Sequence, residues 1–170
     1  MKTSAEKESS VAAKNSAADG GDSARYYAGR DAAARRPYLF NGESRTIRTF
    51  LADDSTFVVA LLERVLSKDT RITIVGSATD GRCFFQHACM SRADLVLLDF
   101  HMAGADSVEI VRWLKQLRNP PIVIVITSDD STVARARSLA AGADAFLLKT
   151  EELGVELQRV IDIFFDGEEL

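Results

Sequence analysis

The chain has 170 residues, of which 46% are apolar and 27% charged, a composition that fits a globular domain and excludes a fibrous or wholly disordered protein. The formal net charge of −4 at pH 7 argues against general nucleic-acid binding, because that affinity comes from Lys and Arg neutralising phosphates. The longest apolar run, at 57–62, is too short for a membrane span. We therefore expect no direct contact with nucleic acid or with a membrane.

Charge and hydrophobicity divide the chain near residue 46. Residues 1–46 carry eight Lys or Arg and six Asp or Glu, a net +2, whereas 47–170 carry thirteen and nineteen, a net −6. The first part has few large aliphatic side chains and buries too little surface to offset the entropy lost on ordering. We expect a disordered or weakly structured leader at 1–44, a folded domain at 45–166 and a tail at 167–170. Because no secretory signal is recognisable, the expected location is cytoplasmic.

From residue 46 onward, predicted strands alternate with predicted helices. The strands are predicted at 47–52, 71–75, 95–98, 122–126 and 145–148. The helices are predicted at 57–66, 81–90, 107–117, 130–140 and 151–165. Strict alternation of this kind predicts a doubly wound α/β fold, in which a five-stranded parallel sheet is covered by five helices.

Capping residues, an apolar run and Pro and Gly residues support several of these elements. Ser55 stands where it can cap the first helix, whose apolar residues recur at helical spacing. Residues 95–98 form a continuous apolar run, which is typical of a strand buried on both faces. Asp106 precedes the third helix as a cap, and a Pro-Pro pair separates that helix from the next strand. Gly142 ends the fourth helix as a left-handed cap.

Polar residues follow four of the predicted strands. Asp53 and Asp54 follow the first strand, Asp99 the third, Thr127 the fourth and Lys149 the fifth. Ligands of open α/β sheets bind beyond the carboxyl ends of the strands, so we expect these side chains to converge. Three carboxylates in one crevice repel one another unless they share a cation. Oxygen ligands suit Mg²⁺ with phosphate oxygens completing its coordination, so the residues predict a site for a metal and a phosphoryl group.

Each of these residues also has an ordinary structural explanation when it is considered singly. Capping of the following helix would by itself explain Asp53 and Asp54, and an Asp after a strand is often part of a turn. Thr127 can simply end a β-branched strand, and Lys149 can be a solvated charge. The occurrence of all five residues together favours the functional interpretation.

Five segments resemble the receiver domains of two-component response regulators, most of all the small single-domain chemotaxis type. The segments are FLADDS at 50–55, IVGSATDG at 74–81, LVLLDFHMAGADSVEIVRWL at 95–114, PPIVIVITS at 120–128 and AGADAFLLKT at 141–150. They occur in order and together cover about residues 46–166. The resemblance implies a flavodoxin-like sheet with the strand order 2-1-3-4-5.

The resemblance also implies a role for each site residue. Asp99 is the expected phosphoacceptor, phosphorylated by a sensor histidine kinase or a histidine phosphotransfer protein. Thr127 and Lys149 are the expected catalytic partners that contact the phosphoryl group. Mg²⁺ is the expected cofactor, and its expected ligands are Asp54 and Asp99 directly, Asp53 through water, and the backbone carbonyl of His101.

Receivers of this family resemble two-state switches, and the resemblance extends to the output surface. It implies that Thr127 shifts on phosphorylation and that Phe146 turns from exposed to buried, although Phe146 can also be read as a half-buried strand aromatic. The surface of the fourth helix, fifth strand and fifth helix is then expected to contact a downstream protein target. His101 and Asp129 occupy positions that tune phosphoryl lifetime in this family, but His101 can equally be an ordinary exposed loop residue.

The chain departs from the family pattern in the loop after Asp99. Ala103 stands where Pro is usual, which implies a less rigid loop. Ser107 replaces the usual Gly at the start of the third helix, which Asp106 can still cap. Neither departure removes a chemical group from the expected pocket.

Two other functions stay open at this level. One is an aspartyl-phosphate phosphatase of the haloacid-dehalogenase type, which needs an acidic residue two positions after its Asp, where this chain has His101. The other is a degenerate receiver that acts only as a protein-binding module, against which the complete set of five residues argues. The leading interpretation is a receiver without an output domain, which we expect not to be an enzyme beyond its own phosphorylation and dephosphorylation.

Overall fold

The structure, a computed structural model, describes residues 26–27 and 46–166. The strands within these residues are β1 Tyr26–Tyr27, β2 Ile47–Ala52, β3 Ile72–Ala78, β4 Leu95–Asp99, β5 Ile122–Thr127 and β6 Ala145–Leu148. The helices are α1 Thr56–Leu66, α2 Gly81–Ser91, α3 Ser107–Lys115, α4 Thr132–Ala141 and α5 Leu153–Phe165. The predicted leader, apart from β1, and the predicted tail at 167–170 lie outside the described residues.

The strands β2 to β6 form one parallel sheet in the spatial order β3-β2-β4-β5-β6. Numbered along the chain, these five strands follow the order 2-1-3-4-5, so the predicted flavodoxin-like fold is confirmed. β1 adds an antiparallel strand at the β6 edge, with Tyr26 opposite Phe146 and Tyr27 opposite Ala145. The sequence did not indicate β1, because a strand of two residues is too short to show an alternating pattern.

Side chains that bind the first free backbone N–H groups begin most of the helices. Ser55, Asp80, Asp106 and Ser131 each accept a hydrogen bond from a backbone N–H in the first turn of α1, α2, α3 and α4. α5 starts at Leu153, two residues later than predicted, because Leu153 N first closes a turn onto the Thr150 carbonyl. Within the described residues, none of the helices is both long enough and apolar enough to cross a membrane.

β3 is longer than the predicted strand and continues through Gly76 to Ala78. The absence of a side chain at Gly76 explains this, because a Cβ atom there would lie 2.9 Å from the Phe50 ring. The ladder between β2 and β3 shifts register between Thr49 and Phe50 to accommodate the contact. Gly76 is therefore a packing residue inside the strand, which the sequence predicted to end at residue 75.

Two apolar layers cover the faces of the sheet. Alternate residues of β2, β4 and β5 pack on α1 and α5 through Leu51, Leu97, Ile124 and their neighbours. The intervening residues, such as Phe50 and Val123, pack on α2, α3 and α4. Because both faces are covered, the open parts of the parallel sheet are the two ends of its strands.

Candidate functional site

The residues predicted to form a site meet at the carboxyl ends of four neighbouring strands. Asp53 and Asp54 follow β2, Asp99 ends β4, Thr127 ends β5 and Lys149 follows β6. One carboxylate oxygen from each of the three aspartates lies within 4.8 Å of the others. The strand order β2-β4-β5-β6 places all five residues side by side, although the chain separates Asp53 from Lys149 by almost a hundred positions.

Lys149 joins two of the carboxylates. Its Nζ lies 2.7 Å from Asp53 Oδ2 and 3.1 Å from Asp99 Oδ1. The second oxygen of Asp53 accepts a hydrogen bond from the backbone N–H of Ser55 at 3.0 Å. Asp53 and Asp99 are buried, whereas Asp54 is exposed. Asp53 is thus held on both oxygens by protein donors, and Asp54 faces solvent beside it.

The charges of this cluster do not balance. Burial raises the pKa of the Asp99 carboxyl, and the charge of Asp53 adds to the rise, while Lys149 and the backbone N–H of His101 oppose it. Burial by itself would lower the pKa of Lys149, but hydrogen bonds and charges from Asp53 and Asp99 outweigh it and raise that pKa. Lys149 therefore stays protonated and pairs with Asp53 and Asp99, while Asp54 adds a third carboxylate to the cluster.

An additional cation fits this donor set. The three aspartates offer carboxylate oxygens that lie within 4.8 Å of one another, and such oxygens are the ligands that hard divalent cations prefer. Burial is the main cause that raises the pKa of Asp99, and the neighbouring charge of Asp53 raises it further. The cluster of Asp53, Asp54 and Asp99 is therefore compatible with a metal site.

The hydroxyl of Thr127 and the side chain of His101 lie on the β5 side of the cluster. Thr127 is fully buried, and its Oγ1 accepts a hydrogen bond from the backbone N–H of Asp129 at 3.1 Å. His101 Nε2 lies 3.1 Å from Asp129 Oδ2, and the His101 side chain is 60% exposed. The loops after β4 and β5 are thus connected by one His–Asp contact beside the pocket.

Sequence analysis missed a contact made by Ser107. Its Oγ lies 2.9 Å from the carbonyl oxygen of Asp99 and 2.6 Å from that of Phe100. The sequence marked Ser107 only as a replacement for the usual Gly. The only signal in the sequence was a hydroxyl residue at the start of the predicted third helix, and its burial became visible only in the structure.

The residue predicted to act as a conformational switch is buried in this structure. Phe146 is 1% exposed and packs in the layer between the sheet and α2, α3 and α4. On the open side of β6 its backbone lies opposite Tyr26 of β1. The described β1 therefore lies against the strand at the centre of the predicted output surface.

Comparisons with known proteins agree with this fold. A family model described as the response regulator receiver domain matches residues 49–161. A protein-glutamate methylesterase/protein-glutamine glutaminase of Nocardioides sp. is 34% identical over 110 residues, which are 64% of this chain and 30% of the relative. The chain therefore spans about 30% of the length of that relative.

Solved structures give the same result. The signal receiver domain of the response regulator NarL from Mycobacterium tuberculosis has a TM-score of 0.66 and 25% identity, covering 73% of this chain and 99% of that domain. The response regulator domain of Thermotoga maritima CheB has a TM-score of 0.66 and 22% identity, covering 74% of this chain and 100% of that domain. Because the sequence identity to the CheB domain is only 22%, that similarity supports the fold and nothing further.

One expectation from the sequence is wrong. We expected a protein that is not an enzyme, but the curated relatives that match this chain include enzymes named protein-glutamate methylesterase/protein-glutamine glutaminase. The match covers about a third of their length, so the named activity belongs to those proteins. Membership in this group therefore does not imply a protein without enzymatic activity.

Proposed function

The chain belongs to the response regulator receiver domain family of two-component systems, and we propose that it is phosphorylated on Asp99 with Mg²⁺ bound beside that residue. The observation that carries the proposal is the ion-pair cluster at the carboxyl edge, in which Lys149 bridges Asp53 and Asp99. Receiver domains interact with histidine kinases or phosphotransfer proteins and with effector domains. We propose a sensor histidine kinase or a histidine phosphotransfer protein as the phosphodonor.

In the proposed reaction an oxygen of the Asp99 carboxylate attacks the phosphorus of a phosphohistidine. The new P–O bond forms as the P–N bond breaks, and the imidazole nitrogen of the donor leaves with the bonding electron pair and takes up a proton. Asp99 is suited to this role because it ends the buried central strand β4, which holds its backbone in place. Its carboxylate is buried and lies 3.1 Å from the Lys149 ammonium, so a positive charge already stands beside the attacking group.

Lys149 and Thr127 are proposed to receive the phosphoryl oxygens. The Lys149 ammonium already lies 3.1 Å from Asp99 Oδ1, so it is positioned to pair with a group attached to that carboxyl. Its backbone is held by the hydrogen bond from Lys149 N to the Thr127 carbonyl at 2.8 Å. The Thr127 hydroxyl is expected to donate to the phosphoryl group after Asp99 is modified.

The metal is proposed to be held by Asp54 and Asp99 directly, by Asp53 through water and by the backbone carbonyl of His101. Mg²⁺ prefers one or two direct carboxylates, and it supplies charge neutralisation when it is bound. Two observations favour this division. Asp53 is buried and committed to Lys149 and Ser55, whereas Asp54 is exposed and free to face an ion.

The output is proposed to run through the surface formed by α4, β6 and α5. Movement of Thr127 toward the phosphoryl group would alter β5 and its neighbour β6, in which Phe146 is packed. A downstream protein target that recognises this surface would then sense the modification of Asp99. We propose a cytoplasmic protein whose receiver unit spans 45–166, with a leader at 1–44 and a tail at 167–170.

The experiment is phosphorylation by acetyl phosphate with Mg²⁺, followed by intact-mass spectrometry. The parent is expected to gain one phosphoryl group, and Asp99→Asn and Asp99→Ala are expected to gain none while keeping a parental circular dichroism spectrum. Asp106→Asn is the matched control, because it changes an exposed carboxyl on the same loop and keeps a side chain able to cap α3. Phosphate retained on Asp99→Ala would place the acceptor elsewhere.

A further inference from the structure

The loop that follows Asp99 is closed by the side chain of Ser107. Ser107 is the first residue of α3 and is 2% exposed. Its Oγ lies 2.6 Å from the Phe100 carbonyl oxygen and 2.9 Å from the Asp99 carbonyl oxygen, seven and eight residues earlier in the chain. A serine hydroxyl has one proton, so it donates to these two carbonyls as a shared bond or alternately.

The Phe100 carbonyl belongs to the same peptide unit as the His101 N–H. Because a peptide unit is planar, a bond that holds its C=O end also sets the direction of its N–H end. The backbone N–H of His101 is near enough to the Asp99 carboxylate to lower its pKa. The Ser107 hydroxyl and the Asp99 carboxylate are thus connected through one rigid plane.

The rest of this loop is held by packing against the start of α2. Gly81 N donates to the Ala103 carbonyl at 2.7 Å. Gly104 has a φ of +84°, and a Cβ atom there would lie 2.8 Å from Asp80 Oδ1. Position 103 is Ala, which does not fix φ as a proline would. Phe100 and His101 are held by a hydrogen bond from Phe100 N to the Ile126 carbonyl at 3.3 Å, by the contact of His101 Nε2 with Asp129 and by the Ser107 hydroxyl. Of these contacts, the one from Ser107 acts on the carbonyl of the Phe100–His101 peptide unit.

We propose that Ser107 is a positioning residue for phosphoryl transfer to Asp99, because its hydroxyl orients the Phe100–His101 peptide so that the His101 N–H faces the Asp99 carboxylate. The part of this inference that concerns transfer rests on the proposed function of Asp99. The part that concerns the peptide orientation is a property of the unmodified protein and can be measured without any phosphodonor.

The test compares Ser107→Ala with Ser138→Ala. Ser138 is a matched control, because it is also buried and also donates its hydroxyl to a backbone carbonyl, that of Ala134 at 2.9 Å within α4. Amide hydrogen exchange of the metal-free protein, followed by NMR, is expected to show His101 exchanging about 3- to 10-fold faster in Ser107→Ala, the range expected for loss of one hydrogen bond. Ser138→Ala is expected to leave the His101 rate unchanged.

Phosphorylation by acetyl phosphate at a fixed, limiting Mg²⁺ concentration gives the second measurement. Ser107→Ala is expected to be phosphorylated about 3- to 10-fold more slowly than the parent, and Ser138→Ala at the parental rate. A parental His101 exchange rate in folded Ser107→Ala would overturn the inference, as would faster exchange combined with a parental phosphorylation rate. If the parent itself gains no phosphate, the proposed function fails, while the exchange data still decide the orientation of the peptide.

Discussion

Among the residues that the structure describes, four aspartates are buried, and two lie at each end of the parallel strands. Asp94 and Asp144 directly precede β4 and β6, at the amino ends of these strands. Asp99 ends β4 and Asp53 follows β2, at the carboxyl ends. The same residue type, equally buried, therefore occurs at both ends of one sheet.

At the amino ends the carboxylates connect neighbouring strands. Asp94 Oδ2 accepts a hydrogen bond from Arg48 N of β2 at 3.0 Å. Asp144 Oδ2 accepts one from Val123 N of β5 at 2.7 Å and also pairs with Lys115 of α3. Each carboxylate there bridges two elements, so its burial is compensated by the contacts that assemble the sheet.

At the carboxyl ends negative charge is in excess. Asp53 and Asp99 share Lys149, and the exposed Asp54 adds a third carboxylate to the cluster. The comparison shows that burial of an aspartate does not by itself identify a functional site. The distinguishing feature is that three carboxylates cluster within 4.8 Å of one another at the carboxyl ends, because their mutual repulsion favours an added cation.

The largest expected difference between the two ends concerns their lysines. Lys149→Ala is expected to slow phosphorylation by acetyl phosphate about 100- to 1000-fold, because it removes a preorganised positive charge from the reacting group. Lys115→Ala, at the amino end, is expected to leave the rate for folded protein within about 2-fold, since Lys115 lies at the opposite end of the strands from Asp99. Single-turnover kinetics would measure both, and similar losses in both variants would remove the functional distinction.

The second difference concerns stability. Asp144→Ala is expected to lower the free energy of unfolding by about 2–4 kcal/mol, because Val123 N–H and the Lys115 ammonium lose a buried partner. Asp99→Asn is expected to raise the free energy of unfolding by less than about 1 kcal/mol, because the substitution relieves repulsion with Asp53. Urea unfolding with unchanged m values gives the measurement. A strongly destabilised Asp99→Asn variant would contradict the comparison.

The third difference separates the two aspartates that follow β2. Asp54→Asn is expected to weaken Mg²⁺ binding to the unphosphorylated protein by about 10-fold, because it removes a direct carboxylate ligand. Asp53→Asn is expected to weaken it less, because Asp53 is paired with Lys149 and acts through water. Isothermal calorimetry on the two variants is the measurement. An Asp54→Asn variant with parental affinity would exclude Asp54 as a direct ligand.

A smaller effect is expected on the pH dependence of stability, through Asp69 in the turn before β3. Hydrogen bonds from the Arg71 side chain, the largest cause, with Gln158 and the Arg71 N–H, hold the pKa of Asp69 well below its ordinary value. A carboxyl of this kind contributes stability that is present above its unfolded pKa of about 3.9 and is lost as pH falls toward its folded pKa. The stability of Asp69→Asn is therefore expected to fall less steeply than that of the parent below about pH 4.

Urea unfolding between neutral and acidic pH would measure this difference. The substitution of exposed Asp130 by Asn is the control and is expected to follow the parental curve. Parallel curves for the parent and Asp69→Asn would show that the contact with Arg71 adds no stability. In that case, of the aspartates at the amino ends, Asp94 and Asp144 would be the ones whose contacts stabilise the fold.

The smallest effect is expected from deletion of residues 1–45, which removes β1 from the edge of β6. β1 contributes two residues to the sheet, so the melting temperature is expected to fall by less than about 8 °C. The phosphorylation rate of Asp99 is expected to stay within about 2-fold, because β1 pairs with Phe146 and Ala145 and not with Lys149. Thermal melts and mass spectrometry would measure the two quantities. A larger fall in melting temperature would mean that the leader forms part of the core.

The sequence predicted the parallel strands and the acidic cluster at their carboxyl ends. Apolar runs separated by capping residues predicted all five parallel strands, and the residues that end those strands predicted the acidic cluster. Asp94 and Asp144 were not singled out, although each stands directly before a predicted strand. Their role depends on backbone N–H groups, which every residue has and which therefore leave no trace in a sequence.

The sequence by itself determined the order of the elements and the residue types at the strand ends, because both follow from local hydrophobicity and from the alternation of strands and helices. Only the tertiary structure decided which carboxylates share Lys149, that Ser107 closes the loop behind Asp99, and that β1 pairs with β6. The reason is physical. These contacts join residues that are far apart in the sequence, and a local sequence pattern does not show which distant residues meet. They form only after the parallel sheet has brought the strand ends together.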